Sequence, residues 1–452
     1  MKILIKNLLI IVLAAIFNSP FTLLSQIDWN NQNSYILDSG TPHTDRYTQK
    51  VHAIGSDYFV ASSNYGNVSY LELIKNADLL ENYITGPNNF IIQDIDVIKD
   101  DIYFCGHYQN KAVIGRVSIS DLINGNNICY FSIMPSSVIS LTHIKAYYDN
   151  ADEKHIVCLG EYSLTNGLCS CIVAIDANNN YTINALNNNV AIEEIKDIDI
   201  TDKFVTTVSF KPTNHSNHIY EFVVRTYSKD YPQDISMYNK RIFDLTQNVY
   251  ISLLDLYNDR YYIRNLYDDK VAVLSSDVSI NDEDITDINI IDLQSLQNYY
   301  SAAIVHYDKD MTIHDAKYEE NNKNLVIVER GFNPGISNYT EYEISLNPFA
   351  TYPANAFYVP NYDVMNSISF FDEDKYVAAG FNPQTYNNCF HIKRLNYNTF
   401  NCYKSFQLNV IQRPTCQGTN PQLSFSQITT GSLNWILYQN INSTKEIINC
   451  YD

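Results

Sequence analysis

Asp100–Ile119, DDIYFCGHYQNKAVIGRVSI, carries the pattern from which the rest of the chain is read. A polar turn gives way to the apolar run Ile102–Gly106, which closes on a small residue. His107–Lys111 is polar, and Ala112–Ile119 is apolar again and rich in β-branched residues. This is strand, loop, strand. The first strand phrase returns along the chain as DYFVAS (Asp57–Ser62), HIVCLG (His155–Gly160), KFVTTVS (Lys203–Ser209), KVAVLS (Lys270–Ser275), LVIVERG (Leu325–Gly331) and KYVAAG (Lys375–Gly380). The closing small residues sit at 62, 106, 160, 209, 275, 331 and 380. A period of this size marks a repeat architecture.

Each copy, strand B of its unit, follows another strand, A: IIQDIDVI, SLTHIKAY, AIEEIKDIDI, MTIHDAKY or VMNSISFF. Tight polar turns such as Lys99-Asp100-Asp101 join the two. Strand C follows (AVIGRVSI, CSCIVAID, HIYEFVVRTY, YTEYEISL, CFHIKRLNY), and often strand D (ICYFSI, YYSAAIVHY, FNCYKSFQL). Four antiparallel strands per repeat predict an all-β chain folded as a single β-propeller. Leu423–Thr430, Leu433–Gln439 and Lys445–Cys450 read as strands A, B and C of a further unit, and Asn33–Asp38 as a spare strand. The count favours eight blades, with seven as the alternative, and the spare N-terminal strand is expected to close the ring.

Lys2 and Lys6, the apolar run Leu8–Phe17 and the polar Asn18-Ser19-Pro20 form a signal-peptide layout with its cut after Ser25. The expected organisation is a signal peptide over 1–25 and a propeller over 26–452, exported to the periplasm or beyond the cell. No later stretch is long and apolar enough to span a membrane. The formal charge of −20 repels phosphate backbones, so nucleic acid is not an expected partner. All nine cysteines follow the signal, and export permits disulfides. The readings are Cys105 with Cys129, Cys389 with Cys402, and Cys158 with Cys169 or Cys171. An odd count leaves one thiol over.

The phrase Tyr103-Phe104-Cys105-Gly106-His107-Tyr108, followed by Ile114-Gly115-Arg116-Val117, resembles the repeats of secreted β-propellers from Bacteroidetes-type bacteria. The cut before Gln26 and the Asn/Ile/Tyr-rich composition are similar to such proteins as well. The resemblance spans nearly all of the mature chain. It implies a fold and an exported location, and it carries over no catalytic residue.

In a propeller the B–C loops share one face with the D–A connections. The loops expected there are His107–Lys111, Glu161–Gly167, Phe210–Asn217, Ser276–Asp287, Phe332–Asn338 and Phe381–Asn388. Two open alike, Gly331-Phe332-Asn333-Pro334 and Gly380-Phe381-Asn382-Pro383. Asn and Pro fix a bend there, and the rings pack or stack on a sugar. The candidate ligand-binding residues are His107, Tyr108, Glu161, Tyr162, Arg330, Phe332, Asn333, Phe381 and Asn382.

No catalytic or metal-ligating residue is assigned and no cofactor is expected. The Asp282-Glu283-Asp284 and Asp287 cluster offers oxygens of the kind a Ca²⁺ site needs but lacks the Asp-x-Asp-x-Asp-Gly pattern. His215–His218 and His306–Asp315 match no zinc motif. The leading expectation is a non-enzymatic propeller that binds a glycan or a surface protein. The alternatives are a carbohydrate-active hydrolase or lyase using carboxylates such as Glu161 and Glu329, and a scaffold without a small ligand.

Overall fold

The computed structural model describes residues 25–26, 34–36, 434–437 and 448–451, and residues 47–404 apart from connecting stretches, the longest being 186–193, 231–237 and 245–260. After β1 (Ser25–Gln26) and β2 (Ser34–Ile36) the chain runs through seven consecutive four-stranded antiparallel units. Unit one holds β3 (Tyr47–Ile54), β4 (Tyr58–Tyr65), β5 (Val68–Lys75) and β6 (Asp78–Thr85). Unit two holds β7 (Phe90–Ile98), β8 (Asp101–Tyr108), β9 (Lys111–Ser118) and β10 (Ile128–Ile133), with the short helix α1 (Ile119–Ile123) before its last strand. Unit three is β11 (Val138–Tyr148), β12 (Lys154–Leu164), β13 (Gly167–Ile175) and β14 (Asn180–Ala185). Unit four is β15 (Glu194–Ile200), β16 (Phe204–Asn214), β17 (Ile219–Ser228) and β18 (Tyr238–Asp244). Unit five is β19 (Tyr261–Asn265), β20 (Lys270–Val278), β21 (Asp284–Asp292) and β22 (Gln297–His306). Unit six is β23 (Met311–Glu319), β24 (Asn324–Gly331), β25 (Ser337–Leu346) and β26 (Phe349–Tyr358). Unit seven is β27 (Val364–Asp372), β28 (Lys375–Asn382), β29 (Asn387–Arg394) and β30 (Phe400–Lys404).

The repeated B phrase falls in the second strand of every unit, and the reason it reads as unbroken apolar sequence is burial on both faces. In β8, Ile102 and Phe104 enter a core shared with unit one, while Tyr103 and Cys105 enter a core shared with unit three. In β28, Tyr376 and Ala378 pack toward unit six, and Val377 and Ala379 toward unit one. The same division recurs round the molecule, giving one apolar core between each successive pair of units. The core that joins unit seven to unit one places Phe371 and Phe390 around Phe59, with Val51 and Val377 beside them. The first strands also touch in sequence, β3 to β7 to β11 to β15 to β19 to β23 to β27, and β27 returns to β3. Four-stranded antiparallel units whose first strands contact one another in a cycle form a β-propeller.

Two expectations about closure are corrected. Strands over Leu433–Gln439 and Lys445–Cys450 exist as β31 (Asn434–Leu437) and β32 (Ile448–Tyr451), but they do not stand as a unit of their own. They pair with each other, and β32 pairs with β30 on the outer edge of unit seven. Leu423–Thr430 lies outside the described residues. The N-terminal strand pairs with β10, on the outer edge of unit two, and so does not close the ring. The physical reason is that β27 contacts β3 directly, whereas the outer strands have a free edge to offer.

The expected disulfides are also corrected. Cys105, Cys129, Cys158, Cys169, Cys171 and Cys389 are free thiols. Cys105 faces the core between units two and three and Cys129 the core between units one and two, so they lie on opposite faces of one sheet. Cys158 and Cys171 share a core, but Cys158 stands opposite Val173 and Cys171 opposite Gly160. Burial pushes the Cys129 and Cys171 thiols up to about 12 and Cys105 and Cys158 well above the ordinary range. They behave as small apolar side chains.

Candidate functional site

The site is built at a β-bulge repeated in the first strand of six units. The register slips by one residue between Thr48 and Lys50, Ile92 and Asp94, Leu141 and His143, Ile195 and Asp197, Ile313 and Asp315, and Met365 and Ser367. A bulge kinks its strand and re-aims the side chains that follow. The small residue at the end of the B phrase makes room for it. A Cβ on Gly106 would lie 2.0 Å from the Ile91 carbonyl oxygen, on Gly160 2.0 Å from that of Ser140, and on Gly380 1.8 Å from that of Val364.

Along the first strands, polar side chains at alternate positions form two layers in which each unit meets its neighbours. From unit one to unit seven the first layer is Lys50, Asp94, His143, Asp197, Tyr262, Asp315 and Ser367, and the second is His52, Asp96, Lys145, Asp199, Arg264, Lys317 and Ser369. Cationic units one, three and five alternate with acidic units two and four, and unit six carries Asp315 in its first layer.

Each carboxylate divides its two oxygens between neighbours. Asp94 faces Lys50 at 3.9 Å with one oxygen and accepts the Ile144 N–H at 2.9 Å with the other. Asp96 faces His52 at 3.1 Å and accepts the Ala146 N–H at 2.7 Å. Asp197 lies 3.9 Å from His143 and accepts the Ile263 N–H at 3.0 Å. Asp199 pairs with Lys145 at 3.5 Å and accepts from the Asn265 N–H at 2.6 Å. Arg264 donates to Asp197, and to Asp315 at 2.7 Å, and Asp315 accepts the Ile368 N–H at 3.1 Å. Unit seven substitutes hydroxyls: Ser367 donates to Asp315 at 2.8 Å and accepts the Val51 N–H at 3.3 Å, and Ser369 accepts the Ala53 N–H at 3.0 Å. The free edges of first strands are thereby capped by side chains of the preceding unit.

These contacts fix the charges. Burial favours the neutral form of Asp96, but the His52 hydrogen bond and the Lys145 charge bring it down to about 2. Burial is likewise outweighed at Asp197 by Arg264 and at Asp315 by Lys50 and Arg264, so both carboxyls stay below their usual range. Burial works against the Lys145 ammonium, yet Asp199 and Asp96 hold it above the ordinary lysine value. Burial leaves His143 with a lowered value despite Asp197. A glycosidase acid needs a carboxyl raised toward neutrality. The shifts at these axial carboxyls run the other way, as counter-ions require.

The sequence-derived candidates lie elsewhere. Most stand on paired strand rather than in loops, because B–C pairing continues past the small residue. His107 and Tyr108 end β8, and Tyr108 packs on Phe131 and Phe90. Glu161 and Tyr162 lie in β12, where Glu161 is exposed and accepts from Ser140 at 3.0 Å while Tyr162 is half-buried against the core between units two and three. Arg330 sits over the Phe381 ring at 5.9 Å, and Phe381 meets Tyr47 edge-on at 4.7 Å. Asn382 is buried and accepts from the Gln384 N–H, which fixes a turn. Phe332 and Asn333 lie outside the described residues, as do His215–His218 and Asp282-Glu283. Asp284 and Asp287 belong to β21, not to a loop. Glu329 is buried in unit six, and Glu161 is exposed in unit three.

Asp149, Glu153 and His155 bring three ligand-type atoms within 4.8 Å. Asp149 accepts the Ala151 and Glu153 N–H groups and faces His155 at 3.0 Å, which locks the β11–β12 turn. Asp176 locks the β13–β14 turn through Asn178 and Asn180 in the same way.

Sequence reasoning missed the axial layers, although Asp-x-Asp in IIQDIDVI and EIKDIDI, His-x-Lys in SLTHIKAY and Asp-x-Lys in MTIHDAKY signal them. Charged residues two apart in an otherwise apolar strand share one face of it.

No protein-family model matches the chain, and no curated protein matches it in sequence. Solved structures with a similar course include the β-propeller domain of the Trilobed protease from Pyrococcus furiosus, described as having an open velcro topology, at 7% identity and TM-score 0.47 over 80% of this chain and 99% of that one. The Dos1 propeller is 12% identical with TM-score 0.45, covering 77% of this chain and 78% of its own. The C-terminal WD40 domain of Sif2 is 10% identical with TM-score 0.42, covering 78% of this chain and 98% of its own.

Proposed function

We propose that the protein is an exported, seven-bladed propeller acting as an interaction scaffold that binds a protein partner on the face where B–C and D–A connections lie. The observation that carries this reading is the placement of exposed apolar side chains. Of the five exposed large hydrophobics among the described residues, Tyr65 ends β4, Ile133 ends β10, Ile139 is near the start of β11 and Leu168 near the start of β13. Antiparallel order puts these ends on one face, in units one to three; Ile123, in α1, lies toward the other. Tyr65, Tyr108 and Tyr162 also occupy matching positions at the ends of their B strands. Clustered aliphatic and tyrosine side chains suit a protein surface. Export is supported by the signal-like segment Lys2–Pro20. Phe332 and Phe381 remain glycan-contact candidates under the competing reading.

The test compares wild type with an Ile139→Asp/Leu168→Asp variant as bait on cell-envelope extract, alongside a glycan array. A specific protein retained by wild type and lost by a variant with unchanged Tm supports the proposal. Glycan binding that survives in the variant and disappears in Phe381→Ala would replace it.

A further inference from the structure

The bulge of unit three sets a hydroxyl beside an imidazole. In a regular strand successive side chains leave on opposite faces, and Thr142 and His143 would not meet. Here the register slips between Leu141 and His143, with Thr142 as the extra residue, and the two side chains do meet. Thr142 Oγ1 lies 3.0 Å from His143 Nδ1, within the reach that a nucleophile and its base require. The other ring nitrogen, Nε2, faces Asp197 Oδ1 of unit four at 3.9 Å. A carboxylate on that side favours the tautomer with its proton on Nε2, which leaves the Nδ1 lone pair toward the Thr142 hydroxyl. Asp197 is itself held in place: it accepts the Ile198 N–H at 2.8 Å and the Ile263 N–H at 3.0 Å, and Arg264 donates to it. Among the described bulges only this one joins a hydroxyl to an imidazole. Thr142 is exposed and His143 half-buried, so a solute reaches the hydroxyl without movement of the core. Burial favours the neutral imidazole, and Lys50 and Arg264 add to this against Asp197 and Asp94, so the ring is free to accept a proton at neutral pH.

Hydroxyl, imidazole and fixed carboxylate stand in the order of a hydrolase triad. We propose that Thr142 is the nucleophile of an acyl transfer, with His143 as general base and Asp197 as the positioning residue. Thr142 Oγ1 attacks the carbonyl carbon of an ester while its proton passes to His143 Nδ1. The C–O bond to the alcohol breaks, and His143 returns the proton to the departing oxygen. Water, deprotonated by the same nitrogen, then cleaves the acyl-threonine and releases the carboxylic acid. The substrate class is a small neutral ester with an aliphatic acyl group. Asp94 and Asp197 repel an anionic one, and exposed Ile139 precedes Thr142 in the same strand. This activity is independent of the protein-binding reading, and either can fail alone.

The experiment follows hydrolysis of p-nitrophenyl acetate by the full mature chain, with mass mapping of acetyl adducts in acid-quenched samples. Wild type is compared with Thr142→Val and His143→Gln, each checked for an unchanged Tm. The expected result is multiple turnover, with acetyl on Thr142 in the quenched wild type. Thr142→Val should lose both, and His143→Gln should be slower by about 10²–10⁴-fold, the contribution of a general base. The wild-type rate should rise with pH through a midpoint below the ordinary histidine value, because the free imidazole is the active form. Thr142 is exposed, so Thr142→Val is expected to fold, and it carries the test should His143→Gln not fold. Equal rates in wild type and Thr142→Val, or acetyl confined to lysines, would overturn the proposal.

Discussion

Gly380 has no room for a side chain, because the Val364 carbonyl oxygen occupies the place where a Cβ would sit. Gly380→Ala therefore must move that carbonyl and disturb the bulge ahead of Ser367. The expected cost is about 1–3 kcal/mol, read as a lower urea midpoint. An unchanged midpoint would mean that the bulge does not depend on the glycine. Arg264 is the opposite kind of residue, one whose removal leaves charge behind. Arg264→Met strands Asp197 and Asp315 in a buried setting, for an expected loss of about 3–5 kcal/mol at neutral pH. Those carboxyls then lose the cation that lowers them, so the deficit should shrink as pH falls below about 4. A deficit independent of pH would assign the loss to packing.

At the scale of the strand, the B phrase was legible because it is buried on both faces and so stands out as continuous apolar sequence. Its terminal glycine was legible too, though not its purpose. Asp94 meets the Ile144 N–H and Asp197 the Ile263 N–H, partners one whole unit further along, and no local pattern announces contacts at that distance. The same limit misled the loop assignments. Glu161 and Tyr162 look like loop residues after a glycine, but the cross-strand ladder to Ser170 and Cys169 runs on beyond Gly160. Cys105 and Cys129 stand on nearby strands of one unit, which suggests a bridge, but the alternation of strand faces separates them. A thiol-labelling experiment follows from this. In the native protein an aromatic disulfide reagent should modify half-buried Cys169 well before Cys105, Cys129, Cys158 or Cys171. Mass spectrometry showing early labelling of Cys105 would contradict the placement of its side chain.

The described residues form seven units, and strict alternation of charge cannot run evenly through an odd number of them. The described units meet this with a neutral member: Ser367 and Ser369 stand between Asp315 on one side and Lys50 and His52 on the other. Buried ion pairs contribute little net stability against hydrophobic alternatives, but mismatched pairs are costly. On that reasoning the axial network selects the order and register of units, while the inter-unit apolar cores supply the stability. The network still imposes a pH limit. Asp96, Asp197 and Asp315 have folded values below the unfolded carboxyl value, so their contribution is complete above that unfolded value. It is lost as pH falls through the folded value, which for Asp96 is about 2. Denaturant midpoints should therefore be level near neutrality and drop steeply below about pH 4. A midpoint insensitive to acid would remove the carboxylates from the account.

The most direct measurement is amide hydrogen exchange at Val51 and Ala53. These two N–H groups lie on the free edge of the first unit and reach across to Ser367 and Ser369 of the seventh. If seven units close directly on one another, both amides are protected to the degree seen at Ile144 and Ala146, which Asp94 and Asp96 cap inside the ring. Protection at Val51 and Ala53 should then fall selectively in Ser367→Ala and Ser369→Ala respectively. Fast exchange at Val51 and Ala53 in the wild-type protein, with Ile144 and Ala146 still protected, would show an open seam and contradict direct closure.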